Sequence, residues 1–116
     1  MGNERDHMDQ ITADQVITAY EIFLQCEEEV YNSSERKIRM TTLIDAKARA
    51  IQAELEGAPP AVISRNIAAK LVDESQLLRE ADESERLARH DARVAAIRVD
   101  MLNHLITLQS TAAKGG

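Results

Sequence analysis

The chain reads as an all-α protein, and three features of its sequence carry that reading. Apolar residues recur at three- and four-residue steps through most of the chain. Gly and Pro are confined to position 2, to the stretch Gly57-Ala58-Pro59-Pro60 and to the last two residues. With two Tyr, one Phe and no Trp, the core has to come from Leu, Ile, Val, Met and Ala, which suits narrow helix–helix seams. The architecture expected is an antiparallel helical hairpin followed by one long C-terminal helix, unbroken or once broken, forming a helical bundle that dimerises. A chain of 116 residues is one domain by length, read as 11–109. Association adds buried surface that so short a chain lacks alone.

Residues 1–10 are polar and aperiodic and are expected to form a mobile arm. The first helix is expected from about Ala13 to Tyr31. Thr12 with Gln15 forms a capping-box pattern, and Ile11 with Val16 a hydrophobic staple. Its apolar residues are Val16, Ile17, Tyr20, Phe23, Leu24, Val30 and Tyr31. Glu27, Glu28 and Glu29 near its expected end oppose the macrodipole and call for a basic neighbour. Asn32 and Glu35 have the spacing of a helix restart. A second helix is expected from there to about Glu56, along Ile38, Leu43, Ile44, Ala48, Ile51 and Leu55. Its basic start at Arg36, Lys37 and Arg39 is expected to meet the three Glu across a tight turn.

Gly57-Ala58-Pro59-Pro60 is a helix stop, with Pro60 available as the first residue of the next helix. From Pro60 to Gln109 there is no interior Gly or Pro, and one continuous helix is expected. Ala81-Asp82-Glu83-Ser84-Glu85 is the alternative break point. A ladder runs through Ile67, Leu71, Glu74, Leu78, Ala81, Glu85, Ala88, Ala92, Ala95, Val99, Leu102 and Ile106. From Leu87 a second stripe joins it: Leu87, Val94, Met101 and Leu108, with Ile97 and Leu105 between. A helix apolar over so wide an arc needs cover on more than one side. Residues 110–116 read as a flexible tail.

Chemistry is sparse. The lone Cys26 cannot form an internal disulfide and is followed by three Glu, which disfavour its thiolate. His90 and His104 lack a second ligand at four-residue spacing beyond Asp100, and neither has a Glu three residues before it. The sequence has no Gly-rich phosphate loop and no nucleophile elbow. No metal or other cofactor and no enzymatic activity is expected. The segment around Ile67–Ser75 tests poorly as a DNA-reading element, because its second helix would turn Glu80, Asp82 and Glu83 toward phosphates. The polar start, the single Cys and the absence of a long apolar run suit a cytoplasmic protein without a membrane span.

The net charge of −6 disfavours nucleic acid and anionic membranes as main partners. Along the long helix charge is segregated: Asp73, Glu74, Glu80, Asp82, Glu83 and Glu85 precede Arg86, Arg89, Arg93 and Arg98. Two antiparallel copies crossing near residues 85–86 would set acid against base, with Ala88, Ala92, Ala95, Val99, Leu102 and Ile106 as the dimer seam. The function expected is a protein–protein interaction module: an adaptor, chaperone or inhibitor. It binds its partner through Leu77, Arg79, Glu80, Glu83, Arg86, Arg89, His90 and Arg93. The alternatives are a nucleic-acid-associated regulator using Arg36, Lys37, Arg39, Lys47 and Arg49, and a structural subunit of a larger assembly.

Overall fold

The computed structural model describes residues 10–115 of the chain. The expected arm lies outside them apart from Gln10. The described residues form three helices and no strands: α1 (Ala13–Glu54), α2 (Pro60–Lys70) and α3 (Val72–Gly115). The all-α class read from periodicity is the one observed.

The helix starts and stops follow local chemistry. Gln15 donates its backbone N–H to Thr12 Oγ1 at 3.3 Å, and Thr12 donates its own to Gln15 Oε1 at 2.9 Å. This is the reciprocal capping box. At the far end of α1 the chain turns through Gly57 at φ +90°, the left-handed region that a side chain disfavours. Pro59 is extended (φ −59°, ψ 143°) and Pro60 occupies the first turn of α2, where its missing N–H costs no bond.

Three boundaries differ from the expectation. No turn interrupts Asn32–Glu35, so the hairpin of two short helices gives way to one helix of 42 residues. Asn, Ser and Glu are ordinary helix residues, and what looked like punctuation is where small side chains meet a neighbour. Ser33 is buried, and Ser34 donates to Glu85 Oε2 at 2.6 Å. Glu27–Glu29 therefore lie in mid-helix, where no helix end demands a basic partner. The second difference is at Leu71. Pro60–Gln109 is two helices, parted by this one residue at φ −109°, ψ 23°, while 81–85 is continuous helix. The bend keeps its bonding: Leu71 N–H donates to Ile67 O at 3.0 Å and Ser75 N–H to Leu71 O at 2.8 Å. It also buries the Leu71 side chain. Third, the expected tail is helical as far as Gly115, with Thr111 Oγ1 bonded back to Thr107 O.

Contacts group the chain into two compact units. Unit 1 joins α1 up to Glu28 with α3 from Ala88 onward. Its two segments run antiparallel: Ile11 exchanges two hydrogen bonds with the Gln109 side chain, and Asn103 Nδ2 donates to the Tyr20 hydroxyl. Its buried residues are small: Ala19, Ala88, Ala92, Ala95 and Val99. Unit 2 comprises Glu29–Leu87, with Ile51, Leu71, Ala81 and Ser33 buried. Here too the segments of α1 and α3 are antiparallel, since Lys37 meets Asp82 and Lys47 meets Glu74.

On α1 the buried and half-buried positions repeat in sevens: Val16, Phe23, Val30, Lys37, Ile44 and Ile51, and beside them Ala19, Cys26, Ser33 and Met40. A turn at Asn32–Ser34 would break that repeat. The substitution Asn32→Pro is therefore expected to destabilise the protein by roughly 3 kcal/mol, the cost of Pro inside a helix. Urea unfolding measures it, and a neutral effect would point to a turn.

Candidate interaction surface

Unit 2 carries ion pairs between α1 and α3. Lys37 occupies a seam position of α1 and reaches across to Asp82 Oδ1 at 2.7 Å and Glu85 Oε1 at 3.6 Å. Ser34 donates to the other Glu85 oxygen. Ten residues along α1, Lys47 donates to Glu74 Oε1 at 3.0 Å. Lys37 and Lys47 thus draw Glu74, Asp82 and Glu85 out of the acidic block assigned to a second copy. They also remove two of the five cations of the nucleic-acid reading, leaving Arg36, Arg39 and Arg49 on the exposed surface. Charges in a helix seam act chiefly on register, because a one-turn slip leaves them without partners.

These pairs shift the titrations. The Lys37 hydrogen bond to Asp82 and the attraction of both carboxylates raise the lysine above its ordinary value. The Lys47 hydrogen bond lowers Glu74, with help from the Glu74 backbone N–H. The Lys37 hydrogen bond lowers Asp82.

Both units expose large apolar residues, and in unit 1 they line the side of α3 opposite its buried face. The face of α3 bearing Ala88, Ala92, Ala95 and Val99 is buried within the unit, and Leu102 and Ile106 are half-buried. Of these six residues, expected as a dimer seam, four are buried by the chain itself and two are half-buried. On the far side of the same helix Val94 is 53% exposed, Ile97 65%, Met101 55% and Leu108 53%. Small side chains fill the seam and large ones face out. A buried Ala contributes little transfer energy, whereas covering the exposed half of each large side chain is worth roughly 1 kcal/mol.

The residues expected to contact a partner are all exposed: Leu77, Arg79, Glu80, Glu83 and Arg86 in unit 2, and Arg89, His90 and Arg93 in unit 1. Arg79, Glu80, Glu83 and Arg86 are engaged locally, Glu80 by accepting from Gln76 Nε2 at 3.3 Å. Arg86 is ion-paired with Glu83 one turn away, and Arg79 Nη2 donates to Gln76 Oε1 at 2.7 Å. Other exposed apolar residues escaped the candidate set, among them Ile17 and Leu24 in unit 1 and Tyr31 and Ile38 in unit 2. All four belong to the apolar stripes expected of the first two helices. Their seven-residue spacing, offset by one from Val16, Phe23 and Val30, is the signal that separates an outer stripe from the seam.

Grooves run along both units. One of ≈ 380 Å³ in unit 1 brings Cys26 and His90 to the same furrow, beside Ile22, Asp91, Val94 and Arg98. No hydrogen bond joins Cys26 to His90 among the described residues. A groove of ≈ 310 Å³ in unit 2 follows Ser34, Lys37 and Glu85. Among the described residues no group of three His, Cys, Asp or Glu side chains is placed to hold a metal ion, and no helix is long and apolar enough to cross a membrane. No family model, curated protein or solved structure matches the chain.

The titration shifts set a pH dependence. Glu74 and Asp82 stabilise the fold above the ordinary carboxylate range near about pH 4 and lose that contribution as pH falls through their lowered folded values. Lys37 stabilises it below about pH 10 and loses its contribution as pH rises through its raised folded value. Melting temperature is thus expected to be level between about pH 5 and 10 and to decline on both sides. Glu74→Gln with Asp82→Asn should flatten the acid limb, and Lys37→Met the alkaline limb.

Proposed function

We propose that the chain is a non-enzymatic protein–protein interaction module of the cytoplasm, an adaptor, chaperone or inhibitor that works as a homodimer and binds through exposed faces of α3. One observation carries the reading. In unit 1 α3 is buried on one side by small residues and presents large apolar residues on the other, an inversion of what a helix covered only by its own chain presents. Charged residues flank the apolar ones and supply orientation, which exposed ion pairs do better than they supply affinity.

Affinity capture from the native host, read by quantitative mass spectrometry, tests the proposal. The Glu83→Lys/Arg86→Glu variant keeps the local ion pair but inverts its direction, and Leu77→Asp removes an apolar contact. Both are expected to lose the captured protein by roughly tenfold or more, while the control Arg49→Glu retains it. Equal capture by all four proteins would refute the reading. A species whose capture collapses with salt and with Arg49→Glu would instead indicate nucleic acid.

A further inference from the structure

We propose that the outer stripe of α3 in unit 1 is covered by the same stripe of a second copy, antiparallel, about a two-fold axis between residues 95 and 96. The inference rests on the interaction-module reading and names the partner, face and register for this part of the surface. His90, Val94, Ile97, Met101 and His104 alternate four- and three-residue steps and are all exposed. That is the spacing of a second helix–helix seam, on the back of a helix whose front is already buried.

Charge selects the register. Asp91 and Arg98 line one edge of the stripe, and Arg93 and Asp100 the other. Each edge carries opposite signs seven residues apart, in reversed order on the two edges. All four residues are exposed, and none is in an ion pair within the chain among the described residues. In an antiparallel pair each edge meets its own counterpart. With the axis between 95 and 96, Val94 faces the second copy's Ile97 and His90 its Met101. Asp91 then meets the second copy's Arg98 and Arg93 its Asp100, each pair formed twice by symmetry. A slip of one heptad in either direction sets Asp91 on Asp91 and Arg93 on Arg93, or Arg98 on Arg98 and Asp100 on Asp100. A parallel pair sets Arg93 beside Arg98. One arrangement thus satisfies both edges, and its near alternatives are repelled.

Analytical ultracentrifugation of the full chain, in reducing buffer at low ionic strength, tests this. A dimer is expected. Asp91→Arg should raise its dissociation constant roughly tenfold, by replacing two attractions with two repulsions. Adding Arg98→Asp in the same chain should restore it, since the swapped pair has the same complementarity. Val94→Asp with Met101→Asp should give a monomer with an unchanged far-ultraviolet circular dichroism spectrum. A monomeric wild-type chain overturns the inference, as does a dimer indifferent to Val94→Asp/Met101→Asp or a double swap that fails to restore association. The module reading is judged separately, by the capture experiment on Leu77, Glu83 and Arg86, which this seam does not use.

Discussion

The structure depends on a seven-residue repeat of buried and half-buried positions along α1 and α3, and in unit 1 the fully buried ones are small. In unit 1 the fully buried positions are four Ala and one Val, with Phe23, Leu102 and Ile106 half-buried beside them. Close approach of two helices gains dispersion along the whole contact but removes little apolar area from water. Val94, Ile97, Met101 and Leu108 lie on the opposite side of α3 and stay exposed.

The same constraint explains the distribution of charge. In unit 2 the repeat admits Lys37 and Glu85 into seam positions, where each finds the other, and Lys47 reaches Glu74 from the flank. Such pairs add less stability than specificity, because one heptad of slippage would strand charges at a half-buried contact. Unit 1 has no charge at its buried positions and keeps Asp91, Arg93, Arg98 and Asp100 at the edges of its outer stripe. Polar specification is internal in one unit and turned outward in the other, which is why the outward set is the one suited to orienting another chain.

Much of this was legible in the residues. The ladder from Ile67 to Ile106 coincides with the buried and half-buried positions of α2 and α3 throughout, because heptad spacing is a property of the chain itself. The second stripe through Val94, Met101 and Leu108 was also visible, and it is exposed as its separate phase requires. The end of that ladder, Ala88 to Ile106, is expected as a seam with a second copy, and the chain itself buries four of those six positions and half-buries two. Two stripes on a helix reveal two apolar faces, and nothing in their spacing tells which of them the same chain covers. The first helix was misread for a related reason. Ile17, Leu24 and Tyr31 outweigh Ala19, Cys26 and Ser33 in hydrophobicity, so the outer stripe masked the seam.

By itself the sequence determined the helical class, the capping box at Thr12, the stop at Gly57–Pro60 and the two periodicities of α3. All of these rest on interactions within a few residues: a side chain reaching a nearby N–H, a positive φ that favours Gly, a ring that fixes φ. Only the tertiary structure decided that α1 runs unbroken through Asn32–Ser34, that the chain bends at Leu71, and that Lys37 pairs with Asp82 and Glu85 rather than balancing Glu27–Glu29. In each case local propensity was nearly neutral. Burial of Ser33, burial of Leu71 and an ion pair between residues 45 positions apart supplied the preference that the local sequence lacked.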